Sequence, residues 1–478
     1  MTNKLIDEIR NNLDNGNVTS EMLFDEATSK AKKYQDEYNS FVTIMDKKEE
    51  IEGNSILRGI PYALKDNIST KGILTTASSN ILKDYIPLYD ATVYKKLKES
   101  GAVLMGKTVL DELAMGGTGT TGHTGIVRNP WNKDRMIGGS SAGSAAAVAL
   151  GIVPFAIGSD TGDSIRKPAA YGGVVGYKPT YGRISRYGLF AFASSLDHLG
   201  VFARSVKDVS YVMDVIKGHD SKDMTSLPDE DICYVDSLDN DIKGKKLFYI
   251  KEALGIVSDN EELEKIKDNF KDVLDKCKNL GFEVEEVSFG RELLEAIYPV
   301  YNVISCAEAT SNNSNLTGIP FGSRVEASNV YDIMMKTRTE GFSELIKRRF
   351  VIGSYVLQKE NQEKLFLNAS RVRRLIVDRM NELFKKYDGL IMPTSGDIAP
   401  LFDKASDKLS DEYLILGNHL VIGNFGGFPS ISIPSGFVNN MPVSVNITGR
   451  AREDYLVLNM ANKIEEVLGC KGMVAKDE

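Results

Sequence analysis

Cysteine is scarce in this chain, with four in 478 residues, and no two of Cys233, Cys277, Cys306 and Cys470 stand as a C-x-x-C pair. That spacing argues against a disulfide framework or a zinc ribbon, and suits buried or incidental thiols in a reducing cytoplasm. No metal site is expected. Long apolar runs are also missing: nothing approaches the ~20 residues of a membrane span. Residues Met1 to Arg10 include Asp7 and Glu8 and have no apolar h-region, so neither export nor membrane insertion is expected. Positive charge is in deficit, 58 Lys and Arg against 66 Asp and Glu, a net charge of -8. A broad phosphate-binding surface is therefore not expected, and any nucleic acid would be held by a partner.

The chain is rich enough to bury a large core. A 42% hydrophobic and 26% charged composition is ordinary for a globular protein, and 478 residues exceed the ~250–300 at which a single core stops growing. One very large α/β domain, or two to three modules, is implied. From Leu5 to about Asp46, apolar residues recur at helical spacing, with Thr19-Ser20 as a cap between two amphipathic helices. Between Ile60 and about Gly200, short apolar runs alternate with glycine and serine clusters, as in strands feeding functional loops. Strands are predicted at 60–64, 102–105 and 153–157, and a small-residue helix over 144–150. The segment 241–289 reads as a strand-helix-strand unit, 292–387 as long polar helices, and 390–393 and 430–434 as further strands. No internal repeat is visible.

Three short motifs carry chemistry. Gly138-Gly139-Ser140-Ser141-Ala142-Gly143-Ser144 precedes an alanine-rich run. Its glycines let backbone N–H groups approach a ligand, but it lacks the lysine of a phosphate loop, and taken alone it is as compatible with a turn. Gly158-Ser159-Asp160-Thr161-Gly162-Asp163-Ser164-Ile165-Arg166 directly follows a predicted strand, which suits Ser164 at a turn with exposed N–H groups and an oxyanion hole. Lys65 ends the apolar run Ile60 to Leu64, where desolvation lowers an amine's pKa; a strand-end lysine reaching solvent is the plainer alternative. None of His123, His198, His219 or His419 lies in a nucleophile-elbow sequence. A serine nucleophile here needs another base, and a lysine acting through a second serine can supply it.

Together the motifs resemble the amidase signature family, in its order and with Ser140 and Ser164 24 positions apart. The resemblance implies Ser164 as acyl nucleophile, Ser140 as a bridging serine usually held by a cis peptide, and Lys65 as base. Backbone N–H groups of Thr161, Gly162 and Asp163 would form the oxyanion hole. It also implies one large α/β domain: a mixed, mostly parallel twisted sheet covered by helices on both faces. Residues 1–50 would be N-terminal helices packed on the core, 51–470 the domain, and 471–478 a tail.

Within that family the chain is most similar to the glutamine-hydrolysing A subunits of glutamyl-tRNA(Gln) amidotransferases. The likeness rests on Asp111 to Gly116, Arg128 to Trp131, Gly176 to Arg183, Phe192 to Asp197, Glu340 to Phe342 with Lys347 to Arg349, and Asn424 to Pro429. Such proteins hydrolyse L-glutamine and pass ammonia to a B subunit, which holds the aminoacyl-tRNA and uses ATP and Mg; a small C subunit wraps both. No cofactor is implied in this chain. Tyr301 and Arg349 would hold glutamine, Arg349 pairing with its α-carboxylate in a bidentate fork. Two positions depart from the pattern. Asp163 stands where the family has glycine, and a carboxylate there is expected to oppose an oxyanion unless Arg166 or Lys167 neutralises it. Gly417 stands roughly where glutamine-using relatives have an aspartate for the substrate ammonium, with Asn418 beside it as an acceptor. A stand-alone amidase and a catalytically impaired scaffold within the same complex are the competing functions.

Overall fold

The structure is a computed structural model that describes residues 1–257, 259–403, 410 and 412–475. Eleven strands form one sheet among them: β1 (Phe41–Ile44), β2 (Pro61–Lys65), β3 (Val103–Thr108), β4 (Phe155–Asp160), β5 (Val175–Lys178), β6 (His198–Ala203), β7 (Lys246–Ile250), β8 (Glu283–Val287), β9 (Gly389–Pro393), β10 (Ser430–Val438) and β11 (Met441–Gly449). Their spatial order is β1-β3-β2-β4-β6-β5-β10-β11-β9-β7-β8. The fold is the expected α/β domain with a mixed sheet.

The expected dominance of parallel pairing is corrected. Antiparallel pairs are β1/β3, β4/β6, β5/β6, β5/β10, β10/β11 and β9/β11, six in all; only β2/β3, β2/β4, β7/β8 and β7/β9, four, are parallel. Connection length is the physical reason, since a parallel pair needs a crossover of about a dozen residues or more. β10 and β11 are joined by Asn439 and Asn440 alone, both at positive φ (50° and 62°), the conformation that a tight hairpin demands. The parallel pair β7/β8 is spanned by the helix Glu261–Asn279, as the strand-helix-strand pattern predicts.

Side chains alternate between two cores, as the pleat requires. Tyr62 and Leu64 of β2, Phe155 and Ile157 of β4, and Leu199 and Val201 of β6 point to one face. There they meet the helices Thr92–Glu99, Val206–Ile216 and Asp454–Leu468. Ala63, Ala156 and Phe202 point to the other, against Ser20–Tyr38 and Ala142–Ala149. At the far end, Phe248 of β7 and Leu390 and Met392 of β9 pack with the helices Ile297–Asn312, Glu344–Leu357 and Asn368–Phe384.

The N-terminal segment opens with the helices Ile6–Asp14 and Ser20–Tyr38, the second capped by Thr19 Oγ1, which accepts the Met22 N–H at 3.2 Å. Helical structure stops earlier than the spacing to Asp46 predicts. Asn39 turns left-handed (φ 51°) and releases β1 as an edge strand against β3. Of the C-terminal tail, Ala475 N–H donates to Ala149 O at 2.8 Å, and residues 476–478 lie outside the described residues. Among the described residues no helix is long and apolar enough to cross a membrane.

The stacked pair Tyr62 and Phe155, ring centroids 5.4 Å apart, sits at the centre of the first core. Phe155→Ala is expected to lower unfolding stability by about 3–5 kcal/mol, against less than about 0.5 kcal/mol for Leu88→Ala at a position 84% exposed. Urea denaturation of the two variants checks this, and equal midpoints would contradict it.

Candidate active site

Parallel strands β2 and β4 lie side by side with Leu64 opposite Ile157, so their C-terminal ends open on the same edge. Lys65 is the last residue of β2, and Ser159 and Asp160 end β4. Lys65 is fully buried. Its Nζ donates to Ser140 Oγ at 2.7 Å, Ser141 Oγ at 2.8 Å, Ser159 Oγ at 2.9 Å and Ser159 O at 3.3 Å. Burial lowers this amine from an ordinary 10.5 to about 7, while Asp111, Asp160 and Asp197 pull the other way. An amine poised there can be neutral, with a lone pair to take the Ser140 proton. The solvent-reaching alternative is excluded by the burial.

Ser140 follows a cis peptide bond from Gly139. The loop is buttressed by Asp111, whose carboxylate accepts the N–H groups of Thr118, Gly119, Thr120 and Thr121 at 3.0–3.1 Å and the Thr121 hydroxyl at 2.9 Å. Asp111 N–H donates to Ser140 O at 3.1 Å. A Cβ on Gly139 would stand 2.0 Å from Asp111 Oδ2, so the loop admits only glycine. Ser141 and Ser159, to which the motifs by themselves assign no role, complete the lysine's shell: Ser141 Oγ donates to Ser159 O at 2.9 Å, and Asn67 Nδ2 donates to Ser159 Oγ at 3.1 Å. A second hydroxyl next to Ser140 and one before Asp160 are the signals of them that the chain carries.

The turn after β4 is fixed from below. Asp160 and Arg166 form a fully buried pair, Nη2 to Oδ1 3.0 Å and Nε to Oδ2 3.1 Å. Arg166 also donates to Gly162 O at 2.8 Å, Leu420 O at 2.7 Å and Asn424 Oδ1 at 2.6 Å. Burial opposes the Asp160 charge, yet the guanidinium holds this carboxyl well below the usual range. Thr161 Oγ1 donates to Asp197 Oδ1 at 2.6 Å; burial pushes Asp197 up to about 6 against that bond and the Phe192 and Ala193 N–H groups. Ser164 is buried, and its carbonyl accepts the Ser141 N–H at 3.2 Å, joining the two motif loops.

The cation beside Asp163 is Lys167, at 3.0 Å, because Arg166 is committed to Asp160. Lys167 Nζ also donates to Gly417 O at 2.8 Å. A Cβ at Gly417 would stand 2.5 Å from Tyr413 O, so an aspartate could not be restored there without moving the turn. Asn418 Nδ2 donates to Tyr413 O at 2.5 Å.

Tyr301 and Arg349 arrive on neighbouring helices. The Tyr301 ring lies over Gly162, where a Cβ would meet it at 3.1 Å. Burial drives its phenol well above the usual value, with Arg349 opposing and Asp163 adding to the rise. The Arg349 guanidinium stands 5.5 Å from the Phe192 ring centroid, and among the described residues its buried Nε has no partner. His198 and His419 are buried and bonded to the Leu196 and Leu416 carbonyls; burial lowers both, His419 to about 3.

Turnover at this site is expected to rise with pH through about 7, as Lys65 loses the proton that blocks it as a base. Stability follows the same sign: between about 7 and 10.5 the unfolded chain binds a proton here that the native chain does not, so this group's contribution improves as pH rises. A pH–rate profile checks the first expectation, and turnover falling through pH 7 overturns it.

The Amidase family model matches residues 1–458. The A subunit of the glutamyl-tRNA(Gln) amidotransferase of Heliobacterium modesticaldum is 44% identical over 415 residues, 87% of this chain and 84% of that protein. The protein of the same name from Sulfolobus acidocaldarius is 39% identical over 97% of this chain and 98% of its own. The crystal structure of the corresponding A subunit from Thermotoga maritima superposes with a TM-score of 0.83 at 35% identity, covering 99% of this chain and 97% of that one. Matched by the family model over nearly its whole length and sharing the complete fold of such a relative, this chain belongs to the amidase family of enzymes.

Proposed function

We propose that the chain is the glutaminase component of a tRNA-dependent amidotransferase, working through Lys65, Ser140 and Ser164. One observation carries the reading: a fully buried Lys65, lowered to about 7, donates to Ser140 at 2.7 Å on a loop joined to the Ser164 turn. Ser164 Oγ attacks the carboxamide carbon of glutamine; its proton passes to Ser140 as the Ser140 proton passes to neutral Lys65. The Thr161, Gly162 and Asp163 N–H groups receive the oxyanion. Collapse breaks the C–N bond, the proton returns through Ser140 to the leaving nitrogen, and ammonia departs. Water then repeats the path and releases glutamate. Tyr301 and Arg349 orient the substrate, Arg349 pairing with the α-carboxylate.

The names of the relatives support an assembly in which ammonia is delivered to a B subunit that holds aminoacyl-tRNA and uses ATP and Mg, beside a C subunit. The net charge of -8 agrees with tRNA being held by that partner rather than by this chain. Pairing with Lys167 removes the reason to read Asp163 as a sign of a silent scaffold.

Ser164→Ala is expected to abolish ammonia release, with or without the B and C subunits, while leaving folding intact. Lys65→Ala and Ser140→Ala should each cost orders of magnitude, and the double variant hardly more, because relay residues act as a unit. Ammonia release with and without the partners reads all four; additive losses would reject the relay, and full activity of the wild type alone would favour a free amidase.

Asp163→Gly is expected to change turnover at saturating glutamine only a few-fold, since Lys167 already neutralises the carboxylate. A rise of about a hundredfold, the worth of one oxyanion donor, would instead show that Asp163 crowds the hole.

A further inference from the structure

Glu112 is buried, at 3% exposure, and takes no part in the proton path. It lies in a turn where Leu113 and Ala114 adopt positive φ, 51° and 60°. One carboxylate oxygen accepts the Ser79 hydroxyl at 2.6 Å; the other accepts the backbone N–H of Ser343 at 3.2 Å. Ser343 is the residue that opens the helix Glu344–Leu357, on which Arg349 sits. A glutamate at that position works like a capping-box carboxylate supplied from 231 residues away, and its charge suits the helix N-terminus.

The surrounding seam is tight. Ser79 leads into the turn Asn80–Leu82. A Cβ on Gly341 would stand 2.9 Å from Ile81 Cβ, and Ser323 N–H donates to Ile81 O at 2.8 Å. Further along, a Cβ on Gly353 would fall 2.1 Å from Cys306 O, so the Arg349 helix cannot slide on the Tyr301 helix. Adjacent carboxylates therefore face two ways: Asp111 gathers the loop beneath Ser140, and Glu112 holds the start of the Arg349 helix. Burial raises the Glu112 carboxyl above its usual range, against the bonds from Ser343 and Ser79 and the nearby His123.

We infer that Glu112 is a positioning residue that sets Arg349 relative to the Ser140 loop and so governs how tightly an amide bearing a carboxylate is held. This rests on the reading of Arg349 as the carboxylate's partner. In the full-length chain with its partner subunits, Glu112→Ala is expected to speed hydrogen exchange at the Ser343 amide. It should raise KM for glutamine about five- to tenfold with kcat changed less than about twofold, the size of a lost buried charged hydrogen bond. Glu112→Gln, which keeps one acceptor and nearly the same volume, should fall between, and it carries the test if Glu112→Ala does not fold. In an Arg349→Ala background the KM effect should vanish, because Glu112 acts through Arg349. Unchanged Ser343 exchange, a loss in kcat with KM unmoved, or an equal KM rise in both backgrounds overturns the positioning role. If Arg349→Ala by itself leaves KM unmoved, the Arg349 assignment falls, and the role of Glu112 in substrate binding with it, even where Ser343 exchange has responded.

Discussion

A lysine amine sealed at the end of a buried strand, ringed by hydroxyls rather than a carboxylate, is the constraint on which the rest of this molecule turns. Desolvation disfavours the charged amine, and the four oxygens around Lys65 stabilise it only partly, so the proton is held loosely. Lys107, on the adjacent strand, shows the contrast. It too is fully buried, yet Asp66 lies 3.4 Å away, and its other bonds go to Ile68 O and Thr75 Oγ1. One buried lysine ties a loop down; the other is left available.

Everything near Lys65 serves to keep charge and water from relaxing that state. Asp111 commits its carboxylate to four N–H groups and a hydroxyl, which orders the Ser140 loop without an ion pair to Lys65. Asp160 is neutralised by Arg166 instead, and that buried pair anchors the Ser164 turn; removing one partner of such a pair costs about 3–5 kcal/mol. At the outer rim, Lys167 holds Asp163 and the Gly417 carbonyl together. Two departures from the family's pattern, far apart in the chain, thus meet at one ammonium group.

Much of this is legible in order along the chain. Apolar runs ending in Lys65 and near Asp160 predict strands feeding loops, and β2 and β4 lie within one to three residues of those runs. The small-residue stretch after Ser141 forms the helix Ala142–Ala149. Strands β1, β5, β6 and β11 escape such a reading, because their apolar residues sit beside glycine and polar residues that match no single period. Their pairing depends on partners far away, as Ser430 of β10 does on Lys178 of β5. Strand direction is less legible still, since residue type along a doubly buried strand carries no record of which neighbour it faces.

Sequence alone determined the chemistry available: a lysine ending an apolar run, two serine-bearing glycine loops at family spacing, no usable histidine, and an acidic surface. Those are local properties, set by side-chain type and backbone freedom within a few residues. Tertiary structure decided which partner each charge found. From the chain, Arg166 and Lys167 are equally placed to answer Asp163; burial gave Arg166 to Asp160 and left Lys167 for the rim. It likewise joined Ser141 and Ser159 to Lys65 and brought Tyr301 over Gly162. Hydrogen bonds and ion pairs act over a few ångströms, and only folding sets which residues, distant in the chain, come within that reach.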